Sequence, residues 1–185
     1  MEVESTADEA FAAFVSASYG ALVRTGYLLT GDRGAAEDLV QACLLTTYRA
    51  WARLAAPDSA EAYTRTSMVR LAGRWRRRRW RGEVPTDPLP DSAAGDHAGD
   101  VAVADAVRRA LLTLPPAQRA VLVLRFFDDR SEQEVARIMR CSVGTVKSRA
   151  NRGLAALRSR GLLHEDAAAG QESTAIGGPA WGSKS

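Results

Sequence analysis

The 185-residue sequence predicts an all-α protein made of two small helical domains joined by a flexible acidic linker. Three observations carry that prediction. Ala, Arg and Leu dominate the composition and β-branched alternation is nearly absent, which favours helix over strand. Apolar residues recur at spacings of three and four in both halves of the chain. Between those halves, Gly82 to Asp100 (GEVPTDPLPDSAAGDHAGD) is rich in Pro, Gly, Ser and Asp and has too few apolar residues to fold by itself. The resulting division is residues 1–81, a linker at 82–100, a second domain at 101–163 and a polar tail at 164–185.

The first domain opens with Phe11, Phe14, Val15, Leu22, Val23 and Tyr27 at near-helical spacing between Asp8 and Leu29, and Thr30-Gly31-Asp32 then stops one helix and caps the next. A long helix is predicted from about Gly34 to Trp51. Its buried stripe is Leu39/Val40, Cys43/Leu44, Thr47/Tyr48 and Trp51, which leaves Asp38, Gln41 and Leu45 on the outer face. A leucine exposed beside an acid and an amide fits a protein interface, although single solvent-facing leucines are commonplace. After a loop at Ala55 to Ala60, a third helix is predicted from about Glu61 through Tyr63, Met68, Val69 and Leu71 into Arg74 to Arg81 (RWRRRRWR), which holds six arginines. Trp75 and Trp80 interleave with those cations, a mixture suited to stacking on bases while neutralising phosphates. The same run also fits a solubilising or nonspecific tether.

In the second domain, Val103, Val107, Leu111 and Leu114 form one stripe. Pro115-Pro116 ends that helix, and Pro116 starts the next where its missing N–H costs nothing. Ala120, Val121, Leu124 and Phe127 continue the core, and Asp128-Asp129-Arg130 turns into the most informative stretch of the chain. There Ser131 and Glu134 form a capping box, Val135, Ile138 and Met139 line a short helix, and Arg140-Cys141 make a tight turn. Ser142 then caps a helix whose apolar positions are Val143, Val146, Ala150, Leu154 and Leu157. Its other face carries Lys147, Ser148, Asn151 and Arg152, flanked by Thr145 and Arg149, side chains suited to phosphates and major-groove base edges. Two helices, a tight turn and such a face read as a helix-turn-helix, against the plainer alternative of a solvated polar face in an ordinary bundle.

SVGTVKSRANRGLAALR resembles the recognition half of region 4 in sigma-70-type factors, and LTLPPAQRAVLVLRFFDDRSEQEVA resembles the segment that precedes it. Near the other end, LLTGDRGAAEDLVQ resembles region 2 of the same factors. The two matches stand in the right order, and together they cover roughly residues 10 to 160. The chain is therefore similar to group IV (extracytoplasmic function, ECF) sigma factors, nearest the actinobacterial SigE family. The resemblance implies a promoter-specificity subunit of RNA polymerase. Its DLVQ segment, Asp38-Leu39-Val40-Gln41, and Leu45 would bind the β′ clamp helices of core polymerase, with the β flap as a second contact. Tyr63, Arg70, Arg74, Trp75, Arg76 and Arg77 would engage and melt the −10 element, and Thr145, Lys147, Ser148, Arg149, Asn151 and Arg152 would read the −35 element. Members of the family are often held inactive by an anti-sigma factor, a further partner that the resemblance implies without identifying. Two departures stand out: Arg70 where relatives commonly carry Asn, and Arg140 where Gly usually occupies the turn.

Catalysis finds little to work with. There is no phosphate-cradling glycine loop, His97 and His164 have no ligand or catalytic companions, and no cofactor is expected. Cys43 and Cys141 lie far apart at helical or turn positions, as suits two free thiols in a reducing cytoplasm. No apolar run reaches the roughly 20 residues that span a bilayer, and the acidic N-terminus is unlike a signal peptide, so the expectation is a soluble intracellular protein without membrane insertion. An autonomous helix-turn-helix regulator would need a dimerisation or sensing element that is not evident, and a nonspecific basic scaffold would not need an ordered recognition face.

Overall fold

The computed structural model describes residues 2–54, 57–80 and 98–162, and side chains for 6–54, 59–76 and 104–162. Seven α-helices are described: α1 (Glu2–Thr30), α2 (Arg33–Ala50), α3 (Pro57–Trp80), α4 (Ala98–Leu112), α5 (Pro116–Leu122), α6 (Glu132–Met139) and α7 (Val143–Arg158). The predicted linker lies outside the described residues except for Ala98–Asp100, which already belong to α4, and the tail at 164–185 lies outside them altogether.

The sequence signals for the helix ends act as read. Gly31 sits at φ +85, a conformation that favours glycine, and its N–H donates to the Tyr27 carbonyl at 2.7 Å. Asp32 then accepts the Ala35 N–H at 2.7 Å and caps α2. Pro116 occupies the first turn of α5, and Ser131 and Glu134 complete a capping box at α6. One boundary differs: α3 starts at Pro57, inside the predicted loop, because proline fits a helix's first turn as readily as it fits a loop.

α1, α2 and α3 enclose a first core of Phe14, Leu22, Leu39, Val40, Cys43, Leu44, Ala60 and Met68. Phe11 and Trp51 close one end edge to face, with ring centroids 5.1 Å apart. A separate core of Val121, Leu124, Val135, Ala136, Ile138 and Val146 holds α5, α6 and α7 together. A third cluster joins the two domains. Leu29 of α1 is buried with Leu111, Leu114, Leu122, Val123 and Leu157, and Val69 and Ala72 of α3 pack against the same cluster. The two predicted domains thus rest on each other directly.

Polar contacts reinforce that junction. The buried Arg119 guanidinium donates to the carbonyls of Leu111 (2.9 Å), Leu112 (2.9 Å) and Leu114 (3.2 Å), and across the junction to Leu29 (2.7 Å). Burial, followed by the nearby Arg76 charge, lowers its pKa to about 10, so it stays a cation near neutral pH. Arg108 donates to the Gly31 carbonyl at 2.7 Å and lies over the Tyr27 ring. Two arginines of the second domain therefore cover the C-terminal end of α1, where helix carbonyls lack partners and the dipole favours cations.

Beyond α5 the chain continues as a π-helical turn, Val123–Phe127, in which the Asp128 N–H reaches back five residues to the Val123 carbonyl at 3.1 Å. This wider turn and the left-handed Asp129 (φ 49) aim Asp128 at the first domain. Phe127 is the cost: predicted as core, it is 48% exposed, because the extra residue per turn rotates it out of the apolar stripe.

Candidate nucleic-acid interface

Helix α7 stands on α5 and α6 through Val146, Gly153 and Leu157, with Ala150 and Leu154 partly buried. Gly153 permits that seating: a Cβ there would lie 3.1 Å from Leu122 Cδ1. The sequence reading did not single out this glycine, whose interruption of the apolar stripe was the available signal.

The opposite face is open. Lys147, Asn151 and Arg152 are exposed and Ser148 is half-buried, and spacings of three and four place all four along one side of α7. Arg152 folds back on its own helix, donating to Ser148 Oγ at 2.6 Å and to the Ser148 carbonyl at 3.2 Å. Lys147 Nζ lies 3.5 Å from a Glu132 carboxylate oxygen. Thr145 joins the N-terminal cap, its N–H donating to Ser142 Oγ at 3.2 Å. Arg149 is half-buried and turned toward the tight turn, with Nη1 3.7 Å from Cys141 Sγ. The fold thus gathers Lys147, Ser148, Asn151 and Arg152, and sets Thr145 and Arg149 at the edge.

On α3, Arg70 and Arg74 are exposed one turn apart, Tyr63 and Arg76 are half-buried, and the Arg77 side chain lies outside the described residues. Trp75 is half-buried against the first core, so part of its ring surface is taken up by packing. A different face of α3 meets the second domain. Arg65, only 3% exposed, donates to Thr25 Oγ1 at 3.0 Å, forms an ion pair with Asp128, and is held by Glu61 on its own helix. Thr25 donates to Asp128 at 2.6 Å, and Arg130 reaches Glu61 at 2.5 Å. Burial pushes the Asp128 carboxyl up against the opposing pull of Arg65 and Thr25. Burial also acts to raise Glu61, but hydrogen bonds and charges from Arg65 and Arg130 outweigh it and hold that carboxyl below the ordinary range.

On α2, Asp38, Gln41 and Leu45 are exposed along one face, Leu45 at 52%. Leu39 is fully buried in the first core. Its assignment to a polymerase contact is corrected accordingly: within DLVQ the two apolar residues hold the helix down while Asp38 and Gln41 face outward. Tyr48, predicted in the buried stripe, is 45% exposed, with its hydroxyl donating to Asp8 at 2.8 Å and its ring beside Phe11. A tyrosine at the stripe's edge can leave its polar end in water at little cost.

Among the described residues, no group of three or more His, Cys, Asp or Glu is placed to hold a metal ion, and no helix is long and apolar enough to cross a membrane. An all-helical chain with an open helix-turn-helix face at one end and exposed arginines on a helix of the other domain belongs to the helix-turn-helix class of DNA-binding proteins. Comparison with known proteins refines the class. Residues 14–82 match the model of sigma-70 region 2, and residues 104–157 match that of sigma-70 region 4. The chain is 38% identical to the RNA polymerase sigma-E factor of Streptomyces avermitilis over 148 residues, covering 80% of this chain and 83% of that one. It is 37% identical to the sigma-E factor of Streptomyces coelicolor, covering 80% and 84% respectively. It is also 26% identical to the ECF sigma factor SigW of Bacillus subtilis over 177 residues, covering 86% and 92%. The sigma factor RpoE of Bartonella quintana, solved in complex with the anti-sigma factor NepR, shares the fold: TM-score 0.63 and 23% identity, over 82% of this chain and 96% of that one. The chain belongs to the ECF group of the sigma-70 family.

Proposed function

We propose that the chain directs bacterial core RNA polymerase to promoters, with the work divided among three surfaces. Asp38, Gln41 and Leu45 of α2 dock on core polymerase. Tyr63, Arg70, Arg74, Arg76 and Arg77 of α3, with the free part of Trp75, engage the −10 element, where extruding a base costs a few kcal/mol that cationic and stacking contacts recover. Lys147, Ser148, Asn151 and Arg152 read the −35 element, with Arg149 on phosphate. The domains divide as residues 1–81 and 101–163, and the protein works in the cytoplasm beside its polymerase.

The observation that carries this reading is the pairing of an open recognition face on α7 with a second exposed cationic helix, α3, in another domain. The two elements lie about 25 base pairs apart by their positions, roughly 85 Å at about 3.4 Å per pair. A compact chain of this length has a radius of gyration of roughly 16 Å. The domains must therefore part at the junction before both elements are engaged, and the free chain is a weak promoter binder. Gel-shift assays of a promoter duplex with the chain alone, with core polymerase alone and with both test this. Sequence-specific binding only with both is the expected result, whereas tight, specific binding by the free chain as a dimer would favour an autonomous regulator.

A further inference from the structure

The second domain covers one side of α3. Arg65 is buried against Asp128, Val69 and Ala72 pack into the cluster around Leu29, Leu111 and Leu122, and Arg76 is half-buried. These four positions step by four, three and four, which makes them one stripe of the helix. Arg70 and Arg74 stand off that stripe and are exposed. The described cations assigned to the −10 element are therefore divided. Two face solvent, while Arg76 lies on the covered stripe, near enough to the Arg119 guanidinium of the second domain for the two like charges to act on each other.

Polar ties hold the second domain in that place. Besides the pair of Arg65 and Asp128, Arg130 reaches Glu61, Arg119 donates to the Leu29 carbonyl and Arg108 to the Gly31 carbonyl. Arg65 is also neutralised by Glu61 on its own helix, whereas Arg76 has no ion pair among the described residues. Arg76 is thus a cation that the closed chain covers without satisfying. A DNA strand lying along α3 can pair with Arg70 and Arg74 as they stand, but it gains Arg76 in full only once the second domain has moved off the stripe. A ligand that favours the open chain is weakened by the scarcity of that form, and by linkage its binding keeps the chain open.

We propose that the junction is an autoinhibitory contact in which the second domain competes with the −10 strand for the Arg65–Arg76 stripe of α3. Closing withholds Arg76 from DNA, and a bound strand holds the chain open. The inference rests on the reading of α3 as the −10 helix. The closed chain is then not merely too compact to reach both promoter elements; it is handicapped at the −10 element by itself.

Asp128→Asn and Arg108→Ala loosen the junction from the second domain, at two separate ties and without touching α3. Arg108→Ala is the milder, because Asp105 keeps its pair with Arg109. The probe is a fluorescent single strand, the non-template −10 segment of a promoter that the holoenzyme melts, titrated onto the full chain without core polymerase. Circular dichroism should be unchanged and small-angle scattering should show a larger radius of gyration. Each variant is expected to bind the strand about threefold or more tightly than wild type, with a log–log salt slope steeper by about 0.7, one contact on a single strand. Arg76→Gln should matter little in the wild-type background and should return the opened variants to the wild-type slope. Opened variants with wild-type affinity and slope, or an Arg76→Gln loss that is equal in both backgrounds, would overturn the competition alone. Unchanged scattering in the Asp128→Asn, Arg108→Ala double variant would overturn it too, since these ties would not be what closes the chain. Holoenzyme whose −10 binding is indifferent to Arg70→Gln and Arg74→Gln would overturn the reading of α3 and the competition with it.

Discussion

The guanidinium of Arg65 on α3 is ion-paired with the carboxylate of Asp128, 63 residues further along the chain, and the pair is buried where the two domains meet. Removing one member of a buried pair strands the other charge. Arg65→Met is therefore expected to destabilise the protein by about 3–5 kcal/mol, and adding Asp128→Leu should recover most of that loss. Urea unfolding of the single and double variants measures the coupling, and small-angle scattering reports whether the domains separate. Additive losses would show that the pair is not a unit.

Gly31 closes the same junction by a different route. At φ +85 it disfavours any side chain, and a Cβ there would lie 2.5 Å from one Leu112 methyl carbon and 2.6 Å from the other. Gly31→Ala is expected to cost about 1–2 kcal/mol from the backbone alone, with a further loss from displacing α4. Pairing it with Leu112→Ala should restore the steric part only, as thermal unfolding would show. A single variant as stable as wild type would contradict the packing described here.

The two thiols should separate cleanly. Burial, slightly offset by Arg74, raises the Cys43 thiol to about 12, while Cys141 sits half-buried at the turn beside Arg149. Since the thiolate is the reactive form, iodoacetamide at pH 8 should label Cys141 in the folded protein and Cys43 only after unfolding. Mass spectrometry distinguishes the sites, and equal labelling in the native state would mean that the first core opens readily.

Asp38 is exposed on α2, away from the buried Leu39 and Val40. Asp38→Arg should leave circular dichroism unchanged and lower affinity for core polymerase at least tenfold, about 1.4 kcal/mol. Undiminished binding by a folded variant would return this face to ordinary solvated surface.

Arg152 is stored on Ser148 in the free protein, with a 2.6 Å hydrogen bond that must break before the guanidinium reaches a guanine edge. Arg152→Ala is expected to cost about 1–3 kcal/mol at the preferred −35 element and to relax the preference at one base position. Holoenzyme binding to a panel of single-base promoter changes measures it. A uniform loss across the panel would make Arg152 a phosphate contact.

The sequence by itself determined what depends on neighbours along the chain. Helix periodicity, the caps at Asp32, Ser131 and Ser142, the proline start of α5 and the outward face of α7 are local, because capping and i to i+4 spacing are satisfied within a few residues. Local pattern also placed Asp38, Gln41 and Leu45 outward, whereas Arg140 stood out only against the family's usual glycine, and its left-handed backbone only the structure established. It erred at the edges of apolar stripes, as at Tyr48 and Phe127, where an amphipathic ring or a π-turn decides exposure. Leu39 was legible as buried from its stripe, and only the borrowed polymerase role set it on the surface. The tertiary structure alone decided the junction: that Arg65 meets Asp128, that Arg119 reaches the end of α1, and that Leu112 covers Gly31. Those pairings join residues tens of positions apart through burial and charge, and no local periodicity encodes which buried cation will find which carboxylate.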